Sequence, residues 1–231
     1  MRRVLITGTT RGLGRFLAEH FLASGDRVIG CGRGASALEH ERYRHHVVNV
    51  SDEASVAELF GAIRREESGL DVLINNAGTA SMNAFALTPP RSVRKVLDTN
   101  ILGTMLMSHA ALRLLRRSSH GRIVNLTSIA VALRLSGEAV YAASKSAVET
   151  FTRVLAKELG PLGITCNAVG PSLIPTALTS GIPADKAQRL LAEQAVPRQA
   201  TPGDVANVID FFVRPESDLV TGQVIYLGGF S

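Results

Sequence analysis

The sequence is short of several things, and each shortage closes off a class of function. Of its 231 residues only two are cysteine, Cys31 and Cys166. Neither has a ligand-like neighbour, so neither a disulfide framework nor a cysteine metal site is expected. The six histidines add nothing to this, because His45 and His46 are adjacent and would point to opposite sides of a strand. No metal is expected. No apolar run reaches the ~18 residues of a membrane span. Met1-Arg2-Arg3 leads straight into Val4-Leu5-Ile6, with no signal-peptide pattern. The expectation is a cytoplasmic protein with no membrane contact. Repeats and low-complexity segments are absent too. Lysine occurs only four times, so the net charge of +5 comes from arginine. Those arginines are scattered. The one tight group, Arg113, Arg116 and Arg117, ends a helix, where cations suit the dipole. Scattered charge gives little reason to expect nucleic acid.

What is present reads as a single α/β domain, 1–231, with a full core. Val4-Leu5-Ile6 is a short apolar strand. It runs into Thr7-Gly8-Thr9-Thr10-Arg11-Gly12-Leu13-Gly14, then into a helix from Arg15 to Ser24 with Gly25 as its cap, then into a second strand, Arg27 to Cys31. Strand, glycine turn, helix, strand is a βαβ unit of the dinucleotide-binding kind. Glycine allows the tight turn and lets backbone N–H groups approach a pyrophosphate. His46 to Val50 reads as a third strand, Ser51-Asp52 as the cap of a helix over 53–66, and Asp71 to Ile74 as a fourth strand ending at Asn75-Asn76-Ala77-Gly78. A long helix spans 91–117, with Asn100 and Gly103 inside it although both are poor helix formers. Gly121 to Ser128 is a fifth strand, and a helix over 141–159 precedes a sixth, Ile164 to Val169. A helical stretch over 180–196 and a seventh strand, Thr221 to Gly229, complete the chain.

Tyr141 and Lys145 stand four apart in Tyr-Ala-Ala-Ser-Lys, on one helical face. A free phenol has a pKa of about 10, and a nearby cation favours its ionised form. Such a phenol can pass a proton to or from a substrate oxygen. The pair also occurs on solvated helices, so its meaning depends on the rest of the chain.

The glycines fall as Thr-Gly-x-x-x-Gly-x-Gly, which is similar to the opening of the short-chain dehydrogenase/reductase family. Asn-Asn-Ala-Gly after the fourth strand resembles a second signature. Ser128 lies thirteen residues before Tyr141, the interval the family uses between its active-site serine and tyrosine. Val169-Gly170-Pro171-Ser172-Leu173-Ile174-Pro175-Thr176 resembles the family's Pro-Gly-x-x-x-Thr segment, with Ser172 where glycine is usual. Gly228 replaces an acid often found in the last strand. The resemblance spans residues 4–229.

The resemblance implies a doubly wound Rossmann-type fold, seven parallel strands with helices on both faces. It implies an oxidoreductase in which Tyr141 is the proton donor, Lys145 lowers its pKa and holds the nicotinamide ribose, Ser128 binds the carbonyl oxygen, and Asn100 completes a water-linked relay. An Asn100 satisfied by backbone is the plainer alternative. Cofactor contacts are implied for Gly8, Thr10, Arg11, Gly12, Leu13, Gly14, Arg33, Asn49, Val50, Asn76, Ala77, Gly78, Pro171, Ile174 and Thr176. Members taking NAD carry a carboxylate at the position of Gly32; here Arg33 follows, and no acid appears before Glu39. With Arg11, this favours NADP(H), since guanidinium binds phosphate and a carboxylate repels it. The expected substrate is a medium-sized, largely apolar ketone or its alcohol. Thr79 to Leu87, Ile129 to Val140 and a lid over 175–196 are expected to line its pocket, with Met82, Phe85, Leu133, Leu135 and Leu178 as apolar contacts. Arg134 and Glu138 read as exposed loop residues. The long helix and the Tyr-Lys helix are expected to form a homodimer or homotetramer. A 3-oxoacyl thioester reductase, an imine reductase or epimerase, and a non-catalytic NADPH sensor remain alternatives.

Overall fold

The structure, a computed structural model, describes residues 1–175, 179 and 184–229. Its elements are, in chain order, β1 (Arg3–Thr7), α1 (Gly12–Ala23), β2 (Arg27–Gly32), β3 (Tyr43–Val47), α2 (Glu53–Glu66), β4 (Val72–Asn75) and α3 (Pro90–Leu97). A π-helical turn (Asp98–Leu102) leads on to α4 (Gly103–Leu115) and β5 (Gly121–Leu126). Then come α5 (Ile129–Leu133), α6 (Ala139–Leu159), β6 (Ile164–Gly170), α7 (Ala184–Ala192), α8 (Pro202–Val213) and β7 (Val224–Tyr226).

The strands form one parallel sheet, ordered β3-β2-β1-β4-β5-β6-β7. The apolar runs noted in the sequence follow from burial on both faces. Leu5, Leu73 and Ile123 point to one side, where α2, α4 and α6 cover them. Val4, Ile6, Val72, Ile74 and Val124 point to the other, against α1 and α8. The order reverses between β1 and β4, so the loops leaving these two strands diverge and open a crevice at their carboxyl ends.

Helix boundaries follow local chemistry. Asp52 caps α2 by accepting from the Ser55 N–H at 3.0 Å. Thr201 and Asp204 form a reciprocal capping box ahead of α8, with Pro202 in the first turn. Several boundaries differ from the sequence reading. The third strand is Tyr43–Val47, not 46–50, because its pairing stops where β2 stops, at Gly32 opposite Val47. The helix expected over 91–117 is one run, but its centre is π-helical around Asn100. The seventh strand is only Val224–Tyr226, paired to Ala168–Gly170. Beyond it Gly228 has φ 96°, a left-handed conformation that an aspartate would adopt only with strain. The helix α5 was not foreseen, since five residues are too few to show a period.

A line of buried amides crosses the sheet between α4 and α6. Asn75 donates to Ser108 Oγ at 3.0 Å and to Asn125 Oδ1 at 2.8 Å, and Asn125 donates on to Thr152 Oγ1 at 2.8 Å. Asn125 is fully buried. The prediction is that Asn125→Ala strands the Asn75 amide and lowers unfolding stability by about 3 kcal/mol, from two buried groups at ~1–3 kcal/mol each. A urea midpoint indistinguishable from wild type would refute a structural role for this line.

Candidate active site

A cleft of about 730 Å³ opens at the carboxyl ends of β1, β2, β4, β5 and β6. It gathers nearly every residue singled out from the sequence. Gly8, Thr10, Arg11, Gly12, Leu13, Gly14, Arg33, Asn49, Val50, Asn76, Ala77, Gly78, Ser128, Tyr141, Lys145, Pro171 and Ile174 line it. Thr176 and Leu178 lie outside the described residues. Among the expected apolar contacts Met82 and Leu135 line the cleft; Phe85 is instead largely exposed, and Leu133 is not part of the wall. Ile129 and Leu190, inside the expected pocket segments, and Leu173 supply further apolar wall, and Lys95 of α3 adds a cation.

The glycine turn is shaped by close approach. A Cβ on Gly14 would sit 2.2 Å from Gly8 O and 2.5 Å from Asn76 Nδ2, so no larger residue fits there. Thr7 ties the turn to the loop after β4: its hydroxyl accepts from the Asn76 and Ala77 N–H groups at 3.0 and 2.8 Å. The Asn76 amide donates back to Thr7 O at 2.8 Å. These bonds leave the start of α1 facing the cleft as a backbone cradle for an anion.

Arg11 and Arg33 stand at this end, both exposed. Neither pairs with a carboxylate among the described residues. The loop that carries Arg33 is held from below. His45 bridges Gly34 O at 2.8 Å through Nε2 and meets the Tyr43 hydroxyl at 3.1 Å through Nδ1. Asn49 is exposed, and its side-chain oxygen is engaged by Ser51.

At the other end α6 brings Tyr141 and Lys145 under the tip of β5. Both side chains are buried. Lys145 Nζ donates to Leu126 O at 2.7 Å and lies 5.9 Å from the centre of the Tyr141 ring. Burial lowers the lysine pKa to about 8. The lowering of the Tyr141 pKa expected from Lys145 is not found. Burial pushes the phenol up to about 12; a hydrogen bond with Ser128 works against this, and the nearby Glu138 carboxylate adds to it. Desolvation of the phenolate outweighs a cation turned toward a backbone carbonyl. Ser128 is itself fixed, since its hydroxyl caps α5 by accepting from the Ala130 N–H at 3.2 Å.

Asn100 is fully buried and does not line the cleft. Its amide donates to Thr79 O and Ser144 Oγ, both at 2.9 Å, and its oxygen accepts from the Thr79 N–H at 2.9 Å. The side chain is a pin joining the loop after β4 to α6. Its carbonyl, in the π turn, accepts from the Thr104 hydroxyl at 2.8 Å. Ser172 fills the position where a glycine was expected by bonding Gln194 Oε1 at 2.5 Å, which fastens the loop after β6 to the segment following α7. Glu138 departs most from expectation. It is buried, with 4% exposure, while Arg134 is exposed as read.

Among the described residues no cluster of metal-ligating side chains occurs and no helix is long and apolar enough to cross a membrane. The chain matches, over residues 8–231, the family model described as enoyl-(acyl carrier protein) reductase. It is 31% identical over 231 residues to the 3-oxoacyl-[acyl-carrier-protein] reductase FabG of Escherichia coli (strain K12), covering 97% of this chain and 95% of that protein. The protein of the same name from Aquifex aeolicus (strain VF5) is 32% identical over 235 residues, with the same coverage of 97% and 95%. Among solved structures, the aldohexose dehydrogenase of Thermoplasma acidophilum aligns with a TM-score of 0.89 at 28% identity, over 99% of this chain and 93% of that one. A putative gluconate dehydrogenase from Agrobacterium tumefaciens aligns with a TM-score of 0.89 at 25% identity, over 99% and 94%.

The buried lysine yields a prediction of known sign. Its folded pKa, about 8, lies below the ~10.4 of an unfolded lysine. Between these values the unfolded chain binds the extra proton, so this site's contribution to stability rises with pH. Below pH 8 both states are protonated and the burial penalty is constant. The stability of Lys145→Met relative to wild type should therefore fall by about 3 kcal/mol between pH 7.5 and 10.5. Paired denaturant melts at the two pH values measure this. A pH-independent difference would mean that the ammonium is solvated.

Proposed function

The chain belongs to the short-chain dehydrogenase/reductase family of oxidoreductases, and from that premise we propose that it is an NADP(H)-dependent enzyme interconverting a ketone and a secondary alcohol. The observation that carries this reading is the convergence, in one cleft, of an anion cradle, two unpaired arginines and a buried Ser-Tyr-Lys group.

The residues present fit a dinucleotide. The close-packed turn of Gly8 to Gly14 leaves room for a pyrophosphate against backbone N–H groups, and a side chain on Gly14 would close that turn. Arg11 and Arg33 would hold a 2′-phosphate, and the cleft offers no carboxylate at that end to repel it. Lys145 would hold the nicotinamide ribose, and Pro171 and Ile174 would bracket the ring. When bound, the cofactor supplies the hydride.

Tyr141 and Ser128 present two hydroxyls to one substrate oxygen. As charge develops on that oxygen, Ser128 steadies it and Tyr141 gives up its proton. A phenol held near 12 is fully protonated at neutral pH, which suits a donor in the reducing direction. An alkoxide is basic enough to take that proton. Lys145 reprotonates the site only through its neighbours, since its ammonium is turned to Leu126 O. Asn100 keeps α6 and the loop after β4 in place.

A second reading draws support from the relatives, whose names concern acyl-carrier thioesters, and from the apolar wall of Met82, Ile129, Leu135, Leu173 and Leu190. A 3-oxoacyl thioester would be reduced by the same groups. Members acting on carrier proteins often place basic residues just before the fifth strand and in the turn before the sixth; Ser119, His120 and Leu162 stand there, with Arg116 and Arg117 nearby, which weakens this reading. The exposed Leu102 and Met105 of the long helix and Val154 of α6 support a homo-oligomer built through these helices.

Two outcomes are predicted. Tyr141→Phe should lower kcat by roughly 10²–10⁴-fold while the NADPH dissociation constant, followed by fluorescence, stays close to wild type. Near-normal turnover would remove Tyr141 from the mechanism. Arg33→Ala should weaken NADPH by about ten- to a hundredfold, the loss of one charge-assisted hydrogen bond, and leave NADH nearly unaffected. Equal losses for both cofactors would mean that Arg33 does not read the phosphate.

A further inference from the structure

We infer that Glu138 is a specificity-determining residue that accepts a hydrogen bond from a hydroxyl carried by the substrate close to its reacting carbonyl. The inference rests on the reductase reading above and narrows its substrate class to hydroxylated carbonyl compounds.

Four observations place this side chain. Glu138 lines the same cleft as Ser128 and Tyr141 and contributes its only carboxylate among the described residues. It stands at the start of α6, three residues before Tyr141, so the two side chains share one helical face a turn apart. Its charge adds to the raised Tyr141 pKa, so the carboxylate is near enough to the phenol to act on it. It is buried, yet no described residue donates a hydrogen bond to it. Its backbone groups are engaged, the N–H by Leu135 O at 3.2 Å and the carbonyl by the Ala142 N–H at 2.7 Å, but the carboxylate oxygens are not.

The carboxylate oxygens keep solvent contact at the cleft and have no donor among the described residues, which leaves them open to a donor carried by a ligand. Burial raises the Glu138 pKa, and Lys186 of α7 is the charged group that offsets this. Lys186 also donates to Ser136 O at 3.3 Å, which seats it over the loop ahead of α6. The ammonium balances the charge of the carboxylate at a distance but does not occupy its oxygens. A second cation would be repelled by Lys186, so a neutral donor, a hydroxyl, suits the site better than an amine. Side chains one helical turn apart are about 5–6 Å apart at Cβ. A ketone oxygen on Tyr141 therefore brings the neighbouring one or two carbons of the substrate within reach of Glu138.

The test compares two matched probes, cyclohexanone and 2-hydroxycyclohexanone, by NADPH oxidation with wild type, Glu138→Gln and Glu138→Leu. Dividing the two kcat/KM values within each protein and comparing that ratio between proteins cancels the intrinsic reactivity of the ketones. The ratio should fall tenfold or more in Glu138→Leu, with KM for the hydroxyketone carrying the change. In Glu138→Gln, which keeps an acceptor, it should stay within about threefold of wild type. Turnover of both ketones with the same ratio in wild type and Glu138→Leu overturns the inference and leaves the reductase reading standing. Failure of wild type to oxidise NADPH with either ketone overturns both. If Glu138→Leu does not fold, wild type is read with cyclohexanol and 1,2-cyclohexanediol as competitive inhibitors. Tighter binding of the diol supports the role of Glu138, and equal binding defeats it.

Discussion

The hydrogen bond from Lys145 Nζ to Leu126 O holds the site together. It joins the middle of α6 to the last residue of β5, and it does so with a buried charge that has few other ways to be satisfied. One turn further along α6, Glu149 makes a matching tie. It accepts from the Thr127 hydroxyl at 2.7 Å and from the Tyr226 hydroxyl, and Thr127 also reaches Lys145 O at 3.4 Å. The tip of β5 is thereby pinned from two levels of one helix. Ser128 follows directly and inherits its position from both ties. The cost of burying these groups is met because each has a specific partner.

The two ends of the cleft differ in their physics. At the β1 and β2 end, small residues and backbone N–H groups are held by Thr7 and Asn76, and the cations are exposed and unpaired. A solvated guanidinium loses little by turning to a phosphate. At the β5 end the groups are buried and their proton affinities are displaced, the phenol upward and the ammonium downward. A proton donor and a charge holder are both useful there, and burial alone separates them. The relatives reduce acyl-carrier thioesters by name and the solved neighbours are sugar-related dehydrogenases by name. The wall around Glu138 is where they would be told apart.

Much of this was legible in the chain because it depends on local pattern. Fully apolar strands, a glycine turn between strand and helix, caps such as Asp52 and Thr201, and a Tyr-Lys pair at helical spacing are statements about neighbours in sequence. They marked the opening βαβ unit and most of the elements; the doubly wound sheet and the membership of the cleft came from the family resemblance that these motifs carry. The sequence also determined that Tyr141 and Lys145 share a helical face.

Tertiary structure decided what those groups do to one another. Lys145 lies 5.9 Å from the Tyr141 ring centre and donates to Leu126 O, and burial is the largest influence on the phenol's pKa, raising it. Asn100 could have faced water, but the loop at Thr79 and the hydroxyl of Ser144 take its whole amide. Glu138, a charged residue in a loop ahead of a helix, read as exposed; packing buries it with Lys186 of α7 close enough to offset its charge. Burial and partner choice depend on segments distant in sequence, and spacing along the chain carries no record of them.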